Sequence, residues 1–302
     1  MKRSSPLRHL HSLEDQAAEH RMEGRYKDAE ALYGQALLRS TQIFGPDTVE
    51  TAKVLNDLGV LYKCMGRFRD ARRHYHRALS IIRRIGAPGA TELASLYHNL
   101  GGLGHACGTY VRAEIFTRRA VAIRQKALGP EHPAVAGDFA ALATILDAQG
   151  KRDEAERLYR HALAVFVRLF GRENYDVAVN LNNLAALYQA NGNIGKAERL
   201  YRRTLIIKET ILKSNHPDIA LTLNNLAVLY KSQGRLNEAE PLYSRALSIF
   251  KESLADTHPH VISCRANYAR LLKSIARQAA TEIRTRTPEA GRARTPALES
   301  PP

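Results

Sequence analysis

A chain of 302 residues, 44% hydrophobic and 25% charged, has the composition of a folded protein, which excludes disorder over most of its length. No stretch approaches the roughly eighteen apolar residues of a membrane helix, and Cys64, Cys107 and Cys264 share no CxxC spacing, which excludes a disulfide framework or a zinc site. A formal net charge of +15 leaves nucleic acid, anionic surfaces and acidic proteins open as partners.

The first residues, from Met1 to His9, lack the apolar run of a secretory signal, so a cytoplasmic location is expected, with residues 1–5 disordered. From there one block recurs every 42 residues. Gly24, Gly66, Gly108, Gly150, Gly192 and Gly234 keep one register, and Ala29, Ala71, Ala113, Ala155, Ala197 and Ala239 keep another. A fixed period of this size predicts a stack of like supersecondary units, each burying its apolar face on its neighbours. The units fall at about 6–44, 45–86, 87–128, 129–170, 171–212 and 213–254, followed by a terminal helix at 255–276. Residues 277–302 turn to Arg, Thr, Ala, Glu and Pro and are expected to form a disordered tail.

Unit 45–86 is the most basic: its second helix carries Arg67, Arg69, Arg72, Arg73, Arg77, Arg83 and Arg84 against Asp70 alone. The matching stretch 235–252 balances Arg235, Arg245 and Lys251 with Glu238, Glu240 and Glu252. A basic convex face that binds nucleic acid or another anionic surface is therefore an alternative function. Unit 87–128 opens on His98-Asn99-Leu100-Gly101-Gly102-Leu103-Gly104, a degraded first helix; no strand precedes it, so a dinucleotide fingerprint is excluded. Gly102 and Gly104 each cost about 1 kcal/mol relative to alanine, which makes this helix the expected weak point. Unit 129–170 has Ala140-Ala141 where its neighbours have asparagines.

Unit 171–212 shows the pattern most clearly. Leu181, Leu184, Ala185 and Tyr188 make the apolar stripe of a first helix, and Gly192 suits a left-handed turn after Ala190-Asn191. Ala197, Tyr201, Leu205 and Ile206 then mark a second helix, with the small Ala197 allowing close approach. Gly129 to Pro133, Ser214 to Pro217 and Asp256 to Pro259 break the chain between units, each placing proline where a helix can begin. The His9/His11, His74/His76 and His258/His260 pairs point to separate helix faces, so they are expected to be solvated and not metal ligands.

These residues resemble the tetratricopeptide repeat, in the 42-residue form found in kinesin light chains and nephrocystin-type proteins. The resemblance rests on Leu55 to Tyr62, Leu181 to Tyr188 and Leu223 to Tyr230, with Ala71/Tyr75/Ala78, Ala155/Tyr159/Ala162 and Ala239/Tyr243/Ala246, and covers residues 6–276. It implies an all-α, right-handed superhelical solenoid of helix-turn-helix repeats whose first helices line a concave, peptide-binding groove. The groove would include Lys53, Asn56, Lys63, His98, Asn99, Asn182, Asn183, Gln189, Asn224, Asn225, Lys231, Asn267, Arg270 and Lys273, together with Asp57, His105 and Asp147. Its cations outnumber its anions, so the expected ligand is an acidic protein or peptide segment. The heptad region of kinesin light chains has no counterpart here, so a motor role is not implied.

Asparagine costs roughly 0.6 kcal/mol relative to alanine inside a helix, so Asn182-Asn183 and Asn224-Asn225 need a reason. The amides are expected to hold a ligand backbone, to tie neighbouring helices, or to do both, with one asparagine of each pair for each use. No constellation for catalysis or for a cofactor is visible, and the expected role is a scaffold or adaptor, or the regulatory repeat part of a larger signalling assembly.

Overall fold

The computed structural model describes residues 4–86 and 90–286, and among them lie thirteen α-helices and no strand. They are α1 (Ser4–Met22), α2 (Tyr26–Phe44), α3 (Val49–Cys64), α4 (Phe68–Ile85), α5 (Ala90–Ala106), α6 (Tyr110–Leu128), α7 (Pro133–Ala148), α8 (Arg152–Phe170), α9 (Tyr175–Ala190), α10 (Ile194–Ile211), α11 (Pro217–Ser232), α12 (Leu236–Ser253) and α13 (Pro259–Arg286). Each odd-numbered helix packs on the even-numbered helix that follows it, and each pair packs on the next, giving a solenoid of helical hairpins. Two boundaries differ from the sequence reading: α1 already includes Ser4 and Ser5, and α13 continues through Arg286 instead of ending at 276. The Arg, Gln, Ala and Glu residues after 276 are good helix formers, so helix outlasts the apolar pattern. Residues 1–3 and 287–302, expected to be disordered, lie outside the described residues.

Inside each hairpin the turn is made by a left-handed glycine. At Gly192 φ is +75°, and the Asn193 N–H reaches back to Tyr188 O at 2.8 Å, satisfying a carbonyl at the end of α9. The same turn recurs at each of the other five register glycines. The hairpin then closes on alanine: Ala29, Ala71, Ala113, Ala155, Ala197 and Ala239 are fully buried, each followed four residues later by a buried Tyr33, Tyr75, Tyr159, Tyr201 or Tyr243, except in the third pair, where Thr117 takes that place. Tyr75 presses on α3 at Gly59, where a Cβ would collide with its ring, and Thr117 does the same at Gly101. A Cβ on Gly104 would sit 2.9 Å from Ala113 Cβ, so this glycine is needed for α5 and α6 to approach. Gly102 meets only the flexible end of Lys63, so the expected helix penalty stands at Gly102 without a packing reason. The main buried clusters divide here: one runs from Ala17 to Ala120, ending within the pair that lacks its tyrosine, and the other runs from Leu142 to Leu271.

The array also bends far enough to touch itself. The α1–α2 turn at Gly24 meets Pro217 at the start of α11, and the α3–α4 turn at Gly66 meets Pro259 at the start of α13. Two histidines make both contacts. His216 Nδ1 accepts the Asp218 N–H at 3.1 Å, capping α11, which leaves Nε2–H to donate to Met22 O. His258 Nδ1 accepts the His260 N–H at 3.1 Å, and its Nε2–H donates to Cys64 O at 2.9 Å. Each bond spans 194 residues, and Lys213 pairs with Glu23 beside the first. The sequence reading of His258 as solvated is corrected: it is 5% exposed and serves as helix cap and tether at once.

Ala197→Leu should overpack the hairpin at a cost of about 1–3 kcal/mol, whereas Ala190→Leu, at an exposed position, should leave the melting temperature unchanged. Thermal melts of the two variants check this. The closure should also be acid-sensitive. Burial pushes His258 below the ordinary 6.5 despite its bond to Cys64 O, and burial together with repulsion from His258 pushes His260 down to about 4 despite the opposing Asp218. Their folded values lie below the unfolded one, so the contribution is complete above about pH 6.5 and is lost as pH falls from there toward 4. Small-angle scattering should show the molecule expanding over that window, with His258→Gln shifting the change.

Candidate functional site

The inner surface is built from one face of each odd-numbered helix, and the 42-residue register places Arg21, Lys63, His105, Asp147, Gln189, Lys231 and Lys273 at equivalent points along it. A second row, about two turns earlier, holds the asparagines. There the amides form a ladder between neighbouring units: Asn99 Nδ2 donates to Asn56 Oδ1 at 2.8 Å, Asn225 to Asn182 at 3.4 Å and Asn267 to Asn224 at 3.4 Å. The oxygens of Asn182 and Asn224 thus tie the array together, while their Nδ2 groups, and the whole amide of Asn183, have no hydrogen-bond partner among the described residues. Gln189 accepts from the Tyr201 hydroxyl at 3.1 Å and so braces its own hairpin.

The two ends of the surface differ in charge. Toward α13, Lys231 is half-buried and Lys273 exposed, neither in an ion pair among the described residues, and Arg270 donates to Asn267 Oδ1 at 2.6 Å. Toward α1 the surface is acidic. A cavity of about 370 Å³ is lined by Glu14, Asp15, Tyr33, Lys53, Asn56, Asp57, Glu92 and Ser95, and Lys53 is drawn onto Glu92 at 3.2 Å. Burial raises the Asp57 carboxyl to about 6 although Arg21 and the Asn56 amide oppose it, and burial together with Asp57 raises Glu14. The excess of cations expected from sequence therefore holds only for the α11–α13 half. Glu14, Asp15 and Arg21 were missed because the first unit lacks the Leu-Asn-Asn-Leu pattern, yet they sit 42 residues before Asn56, Asp57 and Lys63.

Midway, a second cavity of about 470 Å³ is lined by Asn56, Asp57, His98, Asn99, Arg124, Phe166 and Phe170 among others. His98 does not continue the asparagine row. Its Nδ1 meets Asp138 Oδ1 at 2.7 Å, and Arg124 Nη1 meets the same oxygen at 2.5 Å, while Arg124 Nη2 donates to Ser95 Oγ at 2.9 Å. Asp138 is fully buried and its Oδ2 has no partner among the described residues. One pair further along, the register puts Phe166 and Asn180 at these two positions, so a charged pair stands where the next unit has none. Charged residues at core positions of the repeat were the signal for them.

Asp138→Ala should strand the buried Arg124 charge and cost about 3 kcal/mol. The double change Arg124→Phe/Asp138→Asn, which copies the next unit, should recover most of that loss, as read by denaturant melts.

The geometry can be set beside known proteins. The tetratricopeptide repeat family matches the chain over residues 11–84, 92–168, 139–210, 176–252 and 218–280. No curated protein sequence matches it. Among solved structures, it is similar to BtubC (BKLC) from P. vanneervenii, at 26% identity over 80% of this chain and 91% of that one, with a TM-score of 0.53. It is also similar to a single-residue variant of the nearly identical TPR-like repeats of a Podosopora anserina kinesin light chain, at 27% identity over 66% of this chain and 93% of that one, with a TM-score of 0.51. A Rap protein solved in complex with competence and sporulation factor shares the fold, at 16% identity over 89% of this chain and 76% of that one, with a TM-score of 0.60. With helical hairpins, a 42-residue register and a family match that spans most of its length, the chain belongs to the tetratricopeptide repeat family.

Proposed function

We propose that the protein is a non-enzymatic scaffold that holds an extended segment of a partner protein along its concave surface, the acidic part of that segment lying against α9, α11 and α13. One observation carries the reading: Asn182 and Asn224 spend their oxygens on the inter-unit ladder and keep their N–H donors without a partner among the described residues, beside Lys231, Arg270 and Lys273. An extended chain offers a carbonyl at every residue, so such donors hold it without regard to sequence, and the cations select its charge. The Glu14/Asp57 cavity at the other end suits a neutral or basic residue, which would give the ligand a direction. The membership supports protein or peptide partners. Free thiols at Cys64, Cys107 and Cys264 fit the reducing cytoplasm, and no helix among the described residues is long and apolar enough to cross a membrane.

Two peptide libraries, one with acidic and one with neutral side chains, test this on the full chain. Asn224→Ala should weaken both by about 1–3 kcal/mol, because ligand carbonyls lose their donor, and Lys231→Glu should weaken the acidic library far more than the neutral one. Unchanged binding of the acidic library by both variants would remove the groove assignment.

A further inference from the structure

On the outer face, neighbouring units are tied by a recurring trio. Glu30, Tyr62 and Arg67 meet between the first and second pairs, with Arg67 at 2.7 Å from Glu30 and over the Tyr62 ring at 4.3 Å. Glu198, Tyr230 and Arg235 repeat this, with Arg235 at 2.8 Å from Glu198 and at 3.9 Å over the Tyr230 ring. Between α4 and α6 all three residues change together: the register places Arg72, Gly104 and Thr109 there. Arg72 stands where the other five hairpins carry Glu30, Glu114, Glu156, Glu198 and Glu240, and Arg112, in the third hairpin, stands where the first, second, fourth and sixth carry Asp28, Asp70, Glu154 and Glu238.

The result is a cluster of like charges. Arg72, Arg83 and Arg112 surround the exposed His76 and, after burial, hold its pKa below the ordinary value. Arg83 Nη2 donates to the Tyr97 hydroxyl at 3.1 Å, Arg119 lies 5.8 Å from the Tyr97 ring centre, and Arg112 lies 5.6 Å from that of Phe116, the two rings being 5.9 Å apart. None of Arg72, Arg83, Arg112 and Arg119 is paired with a carboxylate among the described residues, whereas Arg67, Arg118, Arg160, Arg202 and Arg235 on the same outer face all are. Exposed guanidiniums gathered in this way repel one another, and a multiply charged anion relieves that repulsion by accepting their N–H forks.

The surroundings narrow the anion. Tyr97 is 6% exposed and guanidiniums cover the rings, so no aromatic face is free to stack on a nucleic-acid base. The register glutamate is lost at this junction alone, so the cluster is a local site. Beside it on α6, Val111 and Ile115 are 70% and 49% exposed, one helical turn apart, and offer an apolar strip to a neighbouring side chain. We infer that the Arg72–Arg83–Arg112–Arg119 cluster is a docking site for a phosphorylated serine or threonine of a partner protein, flanked by an apolar residue. The site lies outside the concave surface and does not depend on the groove reading.

Two immobilised peptide libraries, identical except for a central serine or phosphoserine, provide the probe for the full chain. The phosphorylated library should retain the protein about ten-fold better, as expected when charge-assisted forks are added. Phenyl phosphate should compete at an ionic strength where sodium chloride does not. Arg72→Glu/Arg112→Glu, which restores the carboxylates of the other units, should abolish the preference, while Asn224→Ala should keep it. Equal retention by both libraries, or a preference that survives in a double variant melting like the wild type, overturns the site. So does tighter binding, lost in the same variant, to single-stranded RNA or to vesicles of phosphatidylcholine and phosphatidylserine. If the double variant does not fold, the phenyl phosphate competition decides.

Discussion

The close approach of two helices at alanine is the constraint on which the structure depends. At the six register alanines no exposed surface remains, and a larger side chain would push the helices of that hairpin apart. The tyrosine one turn further along the second helix then reaches across to the first, and the glycine turn sets the angle at which the chain returns. Because each hairpin repeats this geometry, residues 42 apart end up in equivalent environments, and rows of side chains become continuous surfaces. Where threonine replaces the tyrosine, at Thr117, the buried clusters separate, and the neighbouring interface is filled by the charged Arg124 and Asp138 instead.

Position in the array decides what a given residue type does. Arginine is the clearest case: at Arg67 and Arg235 it is consumed by a glutamate of the adjoining hairpin and by the face of a tyrosine, so it acts as mortar. At the α4–α6 junction the same residue type lacks those partners and becomes a surface with unspent electrostatic potential. Asparagine shows the same division on the inner face, one amide atom joining units and the other left toward solvent.

Much of this was legible in the sequence, for a physical reason. Helix pairs, glycine turns and buried alanines follow from local spacing, which a one-dimensional period reports directly. The inner rows, Asn182 with Asn224 and Asn183 with Asn225 and Asn267, were legible by the same register. Their charge balance was not, because Glu92 falls outside the stripe that the tetratricopeptide resemblance marks, and the first unit carries Glu14 and Asp15 in register but without the consensus residues around them. That a single asparagine amide divides its two atoms between these uses could not be read, since which atom faces a neighbour depends on the rotation between units. His216 and His258 were hidden for a related reason: whether residues 194 apart meet is set by the pitch of the whole superhelix and not by any segment of it.

That meeting changes the kind of object the array is. A solenoid in which each unit touches only its neighbours frays from its ends, each end unit opening at little cost to the rest. Here the first two hairpins are fastened to α11 and α13, so their detachment also breaks contacts hundreds of covalent bonds away. The second tether forms at a high effective concentration once the first is made, because the helices between them are already stacked. Opening the superhelix at this point therefore requires both histidine latches to release, so its pitch is held by two distant contacts as well as by the stacking of neighbouring units.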